Sequence, residues 1–118
     1  MVEGGDNPLS LRQATEAIKA AIHTDCIRIS GHAEAEMRAD NLDRMDVASA
    51  IRLGRVVRRE LEDTKVGWIW RYTLEGPVSD PDEARRMAVV FEVPSVDNEA
   101  LPIVTVWEVK QRIARRGQ

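Results

Sequence analysis

The chain reads as a single α+β domain, two or three N-terminal helices packed on a three- to four-stranded antiparallel sheet. Three observations predict it. Apolar residues in the first half recur three and four apart, the spacing of one helical face. Downstream of Gly54 the period changes to two, the spacing of one face of a strand. The segments of period two are joined by connections of hairpin length, which favour antiparallel pairing. Helices followed by strands, rather than alternating with them, build a two-layer α+β domain.

Residues 1–8 read as a flexible leader, 9–109 as the domain and 110–118 as a basic C-terminal tail. Ser10-Leu11-Arg12-Gln13 has capping-box form, so a first helix starts at Ser10 and turns Leu11, Ala14, Ile18, Ala21 and Ile22 to one side. Cys26 to Ile29 is short and rich in β-branched residues, a strand or an extended linker. Ser30 caps a second helix over Gly31 to Ala39, with Ala33 and Met37 on one face and His32 and Glu36 on the next. Asp43 caps a third, whose Val47, Ala50 and Ile51 point inward and which stops at Gly54, a natural residue just past a helix end.

Arg55 to Leu61 is a candidate strand. Val66 to Leu74 is a second, with Trp68, Trp70, Tyr72 and Leu74 on one face and Ile69, Arg71 and Thr73 on the other. Glu75 to Arg86, with Gly76, Pro77 and Pro81, reads as an exposed hairpin loop. Met87 to Val93 is nearly all apolar and therefore central, Pro94 to Ala100 is a turn, and Ile103 to Val109 is the last strand. The tail, Lys110 to Gln118, is a short helix or a frayed end.

Length and composition narrow the class. The 118 residues are one domain's worth and enough to bury a core without disulfides. A lone cysteine, Cys26, makes no internal disulfide, fits a reducing compartment, and is most simply a small buried hydrophobe. The N-terminus has no signal-peptide form, and the longest apolar run, Met87 to Phe91, is too short to span a membrane, so a cytoplasmic protein is expected. Net charge is −3, which argues against a protein that coats nucleic acid. The distribution is uneven: residues 1–50 hold 5 Lys/Arg against 9 Asp/Glu, and residues 51–118 hold 12 against 11. Arg52, Arg55, Arg58 and Arg59 cluster, as do Lys110, Arg112, Arg115 and Arg116; they are solvated basic segments or guides for a polyanion.

From Ile29 onward an ordered set of short segments recurs: Ile29-Ser30-Gly31-His32-Ala33, Met37, Asp46-Val47, Ala50-Ile51, Gly54, Arg71-Tyr72, Leu74, Gly76, Met87 to Val93, and Ile103 to Trp107. In this order they resemble the bacterial domain-of-unknown-function family numbered 4258, over about four-fifths of the chain. That family is similar to the compact ribonuclease toxins of the RelE, BrnT and MqsR type. The resemblance implies a type II toxin that cleaves mRNA and is held inactive by a cognate antitoxin. It points to His32 as a site residue. It also implies basic residues one and two helical turns after that histidine, where this chain has Glu36 and Asp40.

Metal-independent RNA cleavage needs help in removing the 2′-hydroxyl proton, stabilisation of phosphate charge, and protonation of the leaving oxygen. His32 is of the residue type most used for proton transfer and sits near a helix start; the structural alternative is a histidine packed on the sheet. Arg71, on a strand face, can fork onto a phosphate or pair with Glu60, Glu92 or Glu108. Tyr72 can donate a proton or stack on a base, but shares its face with two tryptophans and suits the core. Trp107 is core or a stacking platform. Arg58, Arg59, Lys65, Lys110 and Arg112 are the candidate RNA guides. His23 suits the end of helix one as a dipole partner.

No metal set is legible. His23 and His32 lack helical ligand spacing, and Asp80-Pro81-Asp82-Glu83 lacks the glycine of a calcium loop, so neither structural zinc nor calcium, nor any cofactor, is expected. Two functions follow as expectations: an endoribonuclease toxin, or a non-catalytic protein-interaction module on the same fold, which the acidic helices favour.

Overall fold

The computed structural model describes residues 8–65, 67–78, 85–93 and 104–113. The expected leader up to Asn7, the acidic run at 80–83, the turn at 94–100, Ile103, and the tail from residue 114 lie outside the described residues. The element order is α1 (Leu11–His23), β1 (Ile27–Ile29), α2 (Gly31–Ala39), α3 (Arg44–Leu53), β2 (Arg55–Thr64), β3 (Gly67–Pro77), β4 (Arg85–Glu92) and β5 (Val104–Ile113).

All three helices start where their caps predict. Ser10 and Gln13 close a reciprocal capping box on α1. Ser30 Oγ accepts from Ala33 N–H on α2, and Asp43 with Asp46 boxes α3. Gly54 has another role than the one expected. Its φ of −97° is not left-handed, so no unusual backbone conformation calls for glycine there.

The sheet has five strands in the order β1-β5-β4-β3-β2, and it is mixed. The expectation of three to four antiparallel strands is corrected at one edge. Cys26 to Ile29 supplies a three-residue strand that pairs parallel with β5, Ile27 opposite Val104 and Ile29 opposite Val106. A parallel neighbour needs a long crossover, and here the whole intervening chain supplies it. The remaining pairs are antiparallel.

The helices cover one face. Ile18, Val47, Ile51, Leu74, Met87, Val89, Phe91 and Val106 are almost wholly buried between the layers. Strand alternation leaves the other face to Arg58, Glu60, Arg71, Thr73, Val90 and Glu108. Towards the β2–β3 turn the strands outrun the helices, so Trp68 is 45% exposed and Trp70 only half-buried, on the face where both suited a core.

Side chains of α2 finish the sheet edge that β1 is too short to cover. Ser30 N–H donates to Val106 O (2.9 Å), Ser30 Oγ donates to Trp107 O (3.1 Å), and Glu36 Oε1 accepts from Val109 N–H (2.9 Å). Groups on a free edge that would otherwise lack partners are thereby satisfied.

Several strand boundaries move. The loop expected over Glu75 to Arg86 shrinks at both ends, since Glu75 to Pro77 belongs to β3 and Arg85 and Arg86 to β4. Val78 is buried, and β2 runs on from Leu61 to Thr64. Lys110 to Ile113, assigned to the tail, continues β5 opposite Arg85 to Ala88. A chain ending after Val109 should therefore melt lower than one ending after Ile113, by roughly 2–4 kcal/mol if each lost ladder bond is worth about 0.5–1.5 kcal/mol. Equal chemical-denaturation midpoints for the two truncations would show that these residues add nothing to the fold.

Candidate functional site on the open sheet face

Arg71 is the centre of the uncovered face. It stands in the middle of β3, opposite Glu60 in the ladder, yet its guanidinium bonds Glu62 (2.6 Å) while Glu60 faces Arg58 (3.6 Å). Its side chain is only 18% exposed. The other side of the guanidinium lies over the Trp107 ring, 4.5 Å from its centroid. A β-bulge makes that contact: Val90 pairs with Glu108 but Phe91 with Val106, so Trp107 is the extra residue on β5. Arg71 Nε and Trp107 Nε1 are buried and have no hydrogen-bond partner among the described residues.

Around this centre lies an open cavity of about 180 Å³ whose lining includes Arg58, Glu62, Arg71, Val90, Glu108 and Lys110. Glu92, two residues beyond Val90, belongs to the same group. Burial pushes its carboxyl above the usual glutamate range; the Arg71 guanidinium pulls it down, and the Glu62 carboxylate adds to the rise. A carboxyl raised by burial within reach of an arginine that lines a cleft is a feature that functional sites share with structural ion pairs. The cavity lining sets Arg58, Arg71 and Lys110 against Glu60, Glu62 and Glu108, and Glu92, when ionised, adds a fourth carboxylate beside it.

The raised carboxyl has a thermodynamic consequence. A group that binds its proton more tightly folded than unfolded favours the folded state at low pH. Stability should fall as pH rises from the ordinary glutamate value through Glu92's raised one. Glu92→Gln should flatten that part of the profile. An unchanged pH dependence of the denaturation midpoint would refute the raised value.

The structure separates the residues expected to act together. Tyr72 is on the other face, almost wholly buried; it stacks on Phe91 and accepts a hydrogen bond from Leu9 N–H (2.9 Å), so it packs in the core, away from the open face. Adjacent strand residues point to opposite faces, which is why Arg71 and Tyr72 cannot share a site. For the same reason Arg59 is not beside Arg58: it donates to Leu9 O (2.7 Å) and lies over Trp70 on the helix face. Lys65 is exposed in the β2–β3 turn. Lys110 is on the open face, 3.5 Å from Glu108. Arg112 is in β5 opposite Arg86. Tyr72→Phe should cost about 1 kcal/mol of stability from the lost bond and nothing in any activity of the open face. A lost activity with an intact fold would return Tyr72 to the site.

His32 is not packed on the sheet. Its side chain is 62% exposed, and Nε2 lies 3.5 Å from Glu36 Oε2. Cys26 is half-buried, with Sγ directed at Thr24 O (3.7 Å). Glu36, which stands where the resemblance implies a cation, has a structural duty as the acceptor for Val109 N–H. Sequence reasoning did not find Glu62 or the trio of His32, Glu36 and Glu108, whose ligand atoms lie within 4.8 Å of one another. Nothing in the sequence announces that α2 lies along β5.

No family model matches the chain, and neither a curated protein nor a solved structure matches it. Among the described residues, no helix is long and apolar enough to cross a membrane.

Proposed function

We propose that the chain is a metal-independent endoribonuclease of the compact toxin type, acting on mRNA at the open sheet face and controlled by a cognate antitoxin. The observation that carries this reading is Arg71 in the open cleft, its guanidinium over the Trp107 ring and within electrostatic reach of Glu92, whose carboxyl burial raises above its ordinary value. The resemblance to the family numbered 4258 supports the same reading.

In this reaction Glu92, ionised, takes the 2′-hydroxyl proton, and the 2′-oxygen attacks the adjacent phosphorus. Arg71, released from Glu62, stabilises the charge that builds on the non-bridging oxygens. The bond from phosphorus to the 5′-oxygen breaks, that oxygen takes a proton from His32 at the β5 end of the face, and a 2′,3′-cyclic phosphate remains. Arg58 and Lys110 guide the strand, and the Trp107 indole offers a surface for a base.

A second reading is favoured by the 2.6 Å Arg71–Glu62 pair and by the excess of carboxylates on the face. There the chain is a non-catalytic module on the same fold, and the cleft docks a protein. Inducible expression without a partner, followed through growth, together with incubation of purified chain and RNA in chelator, distinguishes the two. Slowed growth and cleaved RNA are expected; normal growth and intact RNA at good soluble yield would defeat the catalytic reading.

A further inference from the structure

We propose that His32, Glu36 and Glu108 form a binding site for a divalent transition-metal ion of the zinc class, at the junction of α2 and β5. The inference does not rest on RNA cleavage. An ion held there occupies the His32 nitrogen that would otherwise donate the leaving-group proton, so bound metal would oppose the proposed cleavage rather than assist it.

Two of the donors come from one helix. His32 and Glu36 are a turn apart on the side of α2 that borders β5, His32 exposed and Glu36 largely covered, and face each other, Nε2 to Oε2, at 3.5 Å. That separation is long for a hydrogen bond, whose N···O distance is typically about 2.9 Å. It matches the bite of a tetrahedral ion: two ligands at about 2.0–2.1 Å from zinc stand about 3.4 Å apart. The third donor, a carboxylate oxygen of Glu108 on β5, lies within 4.8 Å of both. Glu108 is only partly exposed, and a modest side-chain rotation closes the remaining gap.

The neighbouring groups also suit an ion. Glu36 Oε1 is held by Val109 N–H (2.9 Å), a backbone group outside the trio. This fixes the carboxylate plane and leaves Oε2 for the ion, as outer hydrogen bonds do for metal-binding carboxylates. Two carboxylates converge there, and the cation nearest to Glu108, Lys110 Nζ, stands at 3.5 Å on an exposed side chain. A doubly charged ion displaces so weak a contact. One imidazole and two carboxylates form a mixed nitrogen and oxygen set, which suits zinc and its neighbours better than calcium or magnesium. With three protein donors, the fourth position is left to water.

The test uses the purified full chain. Calorimetric titration with Zn²⁺ should give one bound ion per chain, and Co²⁺ should develop visible absorption bands that Zn²⁺ bleaches. His32→Ala and Glu108→Gln, both at solvent-facing side chains, should each weaken Zn²⁺ binding at least about tenfold without moving the far-ultraviolet circular dichroism. Glu36→Gln keeps an amide oxygen for Val109 N–H and should weaken the ion while preserving the fold. Absence of binding at about 1 mM Zn²⁺, a free energy near −4 kcal/mol, would overturn the site. So would binding that His32→Ala and Glu108→Gln leave unchanged. If Glu36→Gln proves unstable, those two variants still decide.

Discussion

Gly76→Ala is expected to destabilise the protein severely for the addition of a single methyl group. A Cβ on Gly76 would stand 2.2 Å from Ala50 O, 2.8 Å from Ala50 C and 2.9 Å from Ala50 Cα. All three are main-chain atoms of α3, so no side-chain rotation relieves the overlap. The helix must lift from β3, and Val47, Ala50 and Ile51, all essentially buried, lift with it. Overpacking in a well-filled core commonly costs about 1–3 kcal/mol, and a main-chain clash belongs at or above that upper end. A domain of this size has only about 5–15 kcal/mol in total. The urea midpoint of Gly76→Ala should therefore fall by a large fraction of its wild-type value. Gly54→Ala should behave alike, since its Cβ would meet Glu75 O at 2.2 Å and Ala50 O at 2.5 Å. Wild-type midpoints in both variants would mean that α3 and β3 are not in backbone contact.

These glycines also mark how far the sequence could be read. Helix starts were legible because capping is local: Ser10, Ser30 and Asp43 each sit within four residues of the N–H group they satisfy. Strand faces were legible around Arg71 and Tyr72 because alternation is local too. What failed needed distant partners. Gly54 suits a helix end, but its reason is the carbonyl of Glu75. β1 is three residues long, and its parallel partner comes last in the chain, so no local pattern makes it an edge strand. Glu36 resembles a misplaced acid until Val109 N–H is seen beside it. Strand pattern offers Arg71 the partners Glu60, Glu92 and Glu108. Glu60 is directly opposite in the ladder, yet the guanidinium reaches diagonally to Glu62, a choice that alternation alone does not reveal.

The Glu36 contact changes how the acidic positions should be tested. Glu36→Arg was the natural way to restore the positive charge that the resemblance implies. It would also leave Val109 N–H without an acceptor, which costs about 1–3 kcal/mol when the group is buried. Asp40 is exposed at the end of α2 and carries no such bond. Asp40→Arg is therefore the cleaner substitution for adding charge to that side of the molecule.

For the proposed chemistry, Arg71→Ala and Glu62→Gln should move RNA cleavage in opposite directions. Among the described residues, Arg71 is the cation on the open face that is both largely buried and held by an aromatic ring, so it is well organised to meet a phosphate. Its removal should lower the cleavage rate on the order of 10²–10³-fold, the usual cost of one such charge-stabilising donor. Arg71→Lys keeps the charge, loses the fork and the flat contact with Trp107, and should recover only a small part. Glu62 competes with the phosphate for the same guanidinium. Neutralising it leaves Arg71 charged and free, and removes one of the carboxylates that oppose RNA, so cleavage should rise and should decline more steeply with salt. It should also lower the Glu92 pKa, because the Glu62 carboxylate contributes to its rise. The acidic limb of the pH–rate profile would then move to lower pH. A gain in rate with that shift ties Glu62, Arg71 and Glu92 into one working site. If Glu62→Gln instead lowers activity as much as Arg71→Ala does, the ion pair is needed intact, and the phosphate clamp lies elsewhere.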